Sequence, residues 1–282
     1  MHLFLPDLGF LAKLVGMNRL ARRLIPGTAR FGLRVWRKRR QGLLEPELRL
    51  VPFLADPARI TIDVGANVGL YAHAARKHSL EVWAFEPVPR LQSVLRNNLG
   101  SRVRVLAYAL SDRDGKAMLR IPLFNNRAIY TRASLERLDE GDATQEIAIE
   151  CRRLDSFDLG PVGFIKIDVE GHELAVLRGG LQTVKTHRPA LLVESEHRHN
   201  PHSPRAVFDF LSSLSYRGAF CWQGTLTDVA DFDQQTHQAA INAPDIGEPL
   251  RGNYAYNFIF LPAEKDALFE RIARSLTATK SL

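Results

Sequence analysis

Between Thr61 and Tyr71 the chain reads Thr61-Ile62-Asp63-Val64-Gly65-Ala66-Asn67-Val68-Gly69-Leu70-Tyr71, and no other stretch narrows its fold as far. An apolar, β-branched run ends in an acid, small residues make a turn, and an amphipathic helix begins. Glycine lets the backbone turn sharply and approach a ligand closely, and the helix that follows aims its first, unpaired N–H groups into the same space. A second run, Val82-Trp83-Ala84-Phe85-Glu86, also ends in an acid. Strand, glycine turn, helix, strand and acid in that order form a nucleoside-binding half of an α/β sheet.

The pattern continues along the chain. Leu91, Val94, Leu95 and Leu99 form a helical stripe after Pro87 and Pro89, and a third strand is expected over 102–106. Val162 to Asp168 predicts a fourth parallel strand ending in an acid. A single helix is expected after it, with Leu174, Leu177, Leu181 and Val184 inward. Ala190 to Glu194 predicts a fifth strand, and 216–222 and 254–261 predict the last two. Residues 116–158 are the least regular: two short strands are expected around a polar segment, 125–144, that covers the site. Such alternation implies a Rossmann-like, doubly wound, mostly parallel seven-stranded sheet with right-handed crossovers. Ligands bind beyond the carboxyl ends of such strands, where Asp63, Glu86, Asp168 and the stretch Glu194 to His199 all fall.

Charge is unevenly divided. Residues 1–44 contain ten Lys and Arg and a single acid, Asp7, whereas the remainder carries 28 basic and 30 acidic residues. The net charge of +7 therefore belongs to a basic, helical N-terminal extension, residues 1–44, ahead of a nearly neutral main domain, residues 45–282. Within the extension Leu8, Leu11, Leu14 and Met17 fall at helical spacing beside basic residues. This suits either a helix on an anionic membrane surface or one packed on the body. The apolar start is broken by Pro6 and Asp7 and lacks a basic beginning, unlike a secretory signal, and no stretch is long enough to span a bilayer. Cys151 and Cys221 form no framework. A cytoplasmic setting is expected, with peripheral contact at the inner face of the membrane through the extension.

The turn also narrows the ligand. A dinucleotide fingerprint wants Gly-x-Gly-x-x-Gly, but here Asn67 replaces the middle glycine and the last spacing is wrong. No basic residue stands in the turn to meet a phosphate. Glu86, at the end of the second strand, suits a ribose diol. Asp63 either reaches the ligand or caps the turn.

Ile62 to Tyr71, Phe85-Glu86-Pro87, Ala109-Leu110-Ser111-Asp112, Ile165 to Glu173 and Leu177 to Gly180 together resemble the FkbM family of S-adenosylmethionine-dependent methyltransferases. The likeness spans about residues 59–262 and omits the N-terminal extension. It implies a class I methyltransferase fold and S-adenosylmethionine as cofactor. Asp63, Gly65, Ala66, Asn67 and Gly69 are implied around its methionine part, Glu86 on its ribose, and Ser111 and Asp112 near its adenine. Asp168, Glu170 and His172 would stand where donor and acceptor meet. The family is associated with O-methylation of hydroxyls on sugars and secondary metabolites. A methyl on a sulfonium is already activated, so positioning supplies much of the acceleration. A general base helps remove the hydroxyl proton, and His172 suits that role by residue type.

Two other functions fit parts of the sequence. An RNA methyltransferase would explain the basic extension, but the body lacks the positive charge that tracks phosphates. A non-catalytic cofactor-binding scaffold is the other. His197, His199 and His202 lie near Glu194 and Glu196, but magnesium prefers carboxylates and water, so no metal is expected.

Overall fold

The computed structural model describes residues 26–124, 127–136, 143–243 and 253–277. The helical spacing at Leu8 to Met17 lies outside the described residues. In chain order the main elements are α1 (Gly27–Arg40), β1 (Ile60–Val64), α2 (Leu70–Ala75), β2 (Glu81–Phe85), α3 (Pro89–Leu99), β3 (Val103–Leu106), β4 (Ala109–Leu110), β5 (Gly115–Phe124), β6 (Arg127–Ala128) and β7 (Thr144–Arg152). Then follow β8 (Val162–Ile167), α4 (Glu173–Gly179), α5 (Leu181–His187), β9 (Ala190–Glu194), α6 (Arg205–Ser213), β10 (Tyr216–Trp222), β11 (Thr225–Asp228), β12 (Asn257–Pro262) and α7 (Asp266–Thr277).

The large sheet has the order β3-β2-β1-β8-β9-β12-β10-β11. Its first five strands are parallel, and β12 runs antiparallel between β9 and β10. The chain builds outward from β1 in one direction and resumes at β8 in the other. The β1/β8 outlet is therefore the switch point where an open α/β sheet leaves a crevice. The architecture is the expected Rossmann-like, doubly wound, mostly parallel sheet, with one correction. The sheet has eight strands, not seven, because the segment read as loop after Trp222 turns back and pairs Trp222 with Thr225 and Ala219 with Asp228. Gln223 and Gly224, both at positive φ, make that reversal.

Alternation along the buried strands supplies two cores. Ile62, Val64, Ile165, Ile167, Leu191 and Val193 face α4 to α6, whereas Val82, Ala84, Phe164 and Leu192 face α1, α2, α3 and α7. Phe31 of α1 is 2% exposed and meets the His73 ring edge-on at 5.2 Å. Gly27 lies so close to Asn97 of α3 that a Cβ would overlap its carbonyl. The described part of the basic extension thus shares a core with the body, and its last turn carries Arg37, Lys38, Arg39 and Arg40, the sign favoured at a helix C-terminus.

Two other segments depart from the sequence reading. The two short strands expected around residue 130 are long partners, β5 and β7, paired from Gly115–Cys151 to Pro122–Thr144 in a second, four-stranded sheet. Each strand is only half-buried, and Met118 and Pro122 on the outer face of β5 break its apolar–polar alternation. The single helix expected after Asp168 is broken into α4 and α5 at Gly180. Gly179 there lies against Ser111, whose carbonyl oxygen would be 1.9 Å from a Cβ.

Candidate active site

A cleft of about 600 Å³, part of it open to solvent, lies over the β1, β2 and β8 outlets. Its floor is Val64, Gly65, Asn67, Glu86, Asp168 and Glu170, and its walls include Tyr108, Leu119, Tyr130, Leu135 and His172.

The glycine turn is held by backbone geometry. Gly65 has φ +74°, and a Cβ there would lie 1.8 Å from the Asp168 carbonyl oxygen, so the β1 and β8 turns touch without room for a side chain. Asn67 also has positive φ, 51°, which asparagine tolerates better than most residues. Its backbone N–H donates to Glu86 Oε2 at 2.8 Å, and the Val88 N–H donates to Glu86 Oε1 at 2.9 Å. Both carboxylate oxygens are thereby oriented and keep lone pairs for further donors. Burial pushes the Glu86 carboxyl up to about 7 against the pull of those two N–H groups.

The β8 side of the cleft centres on Asp168. Burial raises its carboxyl to about 7, Lys166 opposes the rise, and Glu170, Glu45 and Asp63 add to it. Glu170 sits at φ +53° and its carboxylate meets His199 Nδ1 at 2.9 Å. Desolvation lowers His199, but the hydrogen bond and charge of Glu170 together with the charge of Glu196 outweigh it, and the imidazole is raised above its usual value. His172 has both ring nitrogens engaged. Nδ1 lies 2.7 Å from Glu136 Oε1, and Nε2 lies 2.9 Å from Ser111 Oγ. Its hydrogen bond holds the Glu136 carboxyl below the usual range. Ser134 Oγ donates to the Glu170 carbonyl at 2.6 Å, so residues 130–136 are laced to the 170–172 turn and close one side of the cleft, as expected of that segment.

A family model described as the methyltransferase FkbM domain matches residues 63–217, more than half of the chain. The chain belongs to the FkbM methyltransferase family. It is similar to the 2-O-methyltransferase NoeI of Sinorhizobium fredii, at 27% identity over 63% of this chain and 81% of that protein. It is also similar to the hexuronic acid methyltransferase AglP of Haloferax volcanii, at 29% identity over 51% of this chain and 59% of that protein. Among solved structures, the FkbM methyltransferase of Methylobacillus flagellatus matches with TM-score 0.47 and 16% identity, over 89% of this chain and 57% of that one. As an FkbM protein the chain is a methyltransferase, and its methyl donor is S-adenosylmethionine.

The cleft fits that donor. Asn67 Oδ1 is buried without a hydrogen-bond partner, an acceptor in the turn where the resemblance puts the methionine part of the donor. Glu86 offers two oriented oxygens where it puts a ribose diol. Of the residues assigned from sequence, Gly65, Asn67, Glu86, Asp168, Glu170 and His172 line the cleft.

The other assigned residues do not line it. Asp63 is 3% exposed, and its Oδ2 accepts the Ala72 N–H at 2.8 Å. Gly69, at the N-cap of α2, has no side chain to satisfy that donor, so Asp63 does so from behind the turn. Ala66 is buried in the core beneath α3. Gly69 is a packing glycine, since a Cβ there would come within 2.9 Å of Leu95 and Leu99. Ser111 is 2% exposed beneath His172, and Asp112 points to solvent. Sequence reasoning missed Tyr108 and Tyr130, which lie in segments without periodicity. Each ring has an arginine over it, Arg152 at 5.4 Å and Arg90 at 5.3 Å.

Proposed function

We propose that this FkbM protein methylates a hydroxyl of a sugar, glycan or secondary metabolite, with Asp168 as the group that takes the hydroxyl proton. The observation that carries the reading is a carboxyl on the cleft floor poised at about 7 by burial, a value matched to proton transfer near neutral pH. The bound donor supplies a methyl already activated on sulfur. In the balanced reaction the acceptor oxygen forms the new C–O bond, the C–S bond breaks, and the proton passes to Asp168.

Glu86, pinned by two backbone N–H groups, orients the ribose, and the Asn67 amide oxygen takes a donor hydrogen bond. Glu170, fixed by His199, orients acceptor hydroxyls. His172, bonded through its two ring nitrogens to Ser111 and Glu136, holds the 130–136 segment over the cleft. Relatives named for 2-O-methylation and for a hexuronic acid support a carbohydrate acceptor. Incubation with radiolabelled donor and glycan or glycolipid fractions tests the reading, and label should appear in a base-stable ether. Label in RNA with none in glycans would favour the RNA alternative, and no transfer to any acceptor would favour a scaffold.

The boundary between a basic extension, 1–44, and the methyltransferase domain, 45–282, belongs to the same reading. Arg37, Lys38, Arg39 and Arg40 are exposed at the end of α1, and among the described residues no helix is long and apolar enough to cross a membrane. A cytoplasmic protein held peripherally at the anionic inner face of a membrane accounts for this charge. Vesicles containing anionic lipid should retain the full chain and release it as salt rises. Equal retention of a chain lacking residues 1–44 would overturn this placement.

A further inference from the structure

Lys166 is 1% exposed in the middle strand of the large sheet, where an ammonium needs partners close by. Its Nζ donates to Asn257 Oδ1 at 3.1 Å and lies 3.7 Å from Glu194 Oε2. It stands 5.1 Å from the centre of the Tyr71 ring. Asn257 Nδ2 in turn donates to Glu45 Oε2 at 3.2 Å, and the Tyr71 hydroxyl donates to the same oxygen at 2.5 Å. Glu45 comes from the segment between α1 and β1, and Asn257 opens β12. Both lie outside the residues that match the family model. A closed polar circuit of Glu45, Tyr71, Lys166 and Asn257 therefore joins the N-terminal segment to the strand whose next residue on that face is Asp168.

We propose that Glu45 is a positioning residue of the methyl-transfer site: its carboxylate anchors the entry segment through Tyr71 and Asn257 and governs how much of the Lys166 charge reaches Asp168. The role rests on the reading of Asp168 as the working carboxyl. Five charged groups act on that carboxyl: Lys166 from its own strand, Asp63 from β1, Glu194 from β9, Glu45 from the entry segment and Glu170 from the following turn. Lys166 is the cation among these five and the other four are acids. Removing the Glu45 charge leaves the ammonium less neutralised, which favours the Asp168 carboxylate. A strut that merely held Tyr71 and Asn257 in place would have no such effect, because an amide oxygen accepts the same two hydrogen bonds.

The test is a carboxyl titration of the full chain without ligand, by carbon NMR on aspartate-labelled protein. The Asp168 resonance is identified by its loss in Asp168→Asn. In Glu45→Gln its midpoint should fall by about half a pH unit or more relative to the unsubstituted chain. Asn257→Leu severs Glu45 from Lys166 by a different route and frees Nζ to turn to the carboxylates, so it should move the midpoint the same way. It carries the test if Glu45→Gln does not fold. A midpoint equal to that of the unsubstituted chain in every variant that folds would overturn the proposal, whatever the change in melting temperature. No acceptor enters the measurement. A shifted midpoint in a protein that transfers no methyl group would therefore count against the functional reading and leave the Glu45 coupling standing.

Discussion

Asp168 and Glu86 are both carboxyls raised to about 7 by burial, yet their surroundings separate their tasks. Glu86 is gripped by two backbone donors, one of them in the glycine turn. Asp168 is flanked by Lys166 and by other acids. Asp168→Asn keeps shape and removes the proton acceptor, so kcat should drop by about 10²-fold or more while donor affinity changes little. Glu86→Gln keeps the volume but presents an amide to donors, so donor affinity should fall by about tenfold to a hundredfold. Titration calorimetry beside turnover measurements separates the two, and equal losses in both variants would refute the division. With ionised Asp168 as the proposed proton acceptor, kcat should decline as pH falls through about 7. At this scale the sequence was legible where local backbone rules apply. Gly65 and Asn67 announce their positive φ by type, and strand-end acids by position. Asp63 was ambiguous because capping and ligand binding both call for an acid after a strand, and only the Ala72 N–H decides between them.

At the level of elements, α1 is the informative case. Four consecutive basic residues, Arg37 to Arg40, suggest a solvated or membrane-facing helix, and they are exposed. The opposite side nevertheless inserts Phe31 into the core beside His73 and α3. Phe31→Ala should therefore lower unfolding free energy by about 3 kcal/mol or more through lost burial and a residual cavity, a size read from denaturant titration. A change near zero would mean that α1 is only loosely attached. The β5/β7 pair and the broken helix at Gly180 were the elements least visible in sequence. Long half-exposed strands give weak alternation, and a glycine inside a helical stripe signals a break only when something packs against it.

For the whole molecule, charge burial around the outlets controls the pH dependence of stability. Burial raises the carboxyls of Glu173 to about 8, of Glu47, Glu86 and Asp168 to about 7, and of Asp63 to about 6. All five values lie above those of an unfolded chain. The stability these groups contribute is complete at low pH and is lost as pH rises through the folded values. The His73 imidazole, lowered to about 4 by burial, works oppositely, but only below about 6.5. Between pH 6.5 and 8.5 the carboxyls dominate, so the ligand-free protein should melt at a lower temperature at 8.5. A higher melting temperature at 8.5 would contradict the burial of these groups. Donor binding at Glu86 should reduce the difference by supplying that carboxylate with hydroxyl donors.

The sequence by itself determined the family, the donor, the parallel sheet and the strand ends at which the site is built. These depend on short-range signals: alternation, turn residues and acids at fixed positions. Tertiary structure alone decided which of the assigned residues face the cleft. It placed Asp63, Ala66, Gly69 and Ser111 in caps and packing and Asp112 at the surface, and brought Tyr108 and Tyr130 to the cleft. It also joined His172 to Glu136 and Ser111, and Glu45 to Asn257 across 212 positions of chain. A hydrogen bond between such distant residues leaves no periodicity to read, because its geometry exists only once the sheet has brought the strand ends together.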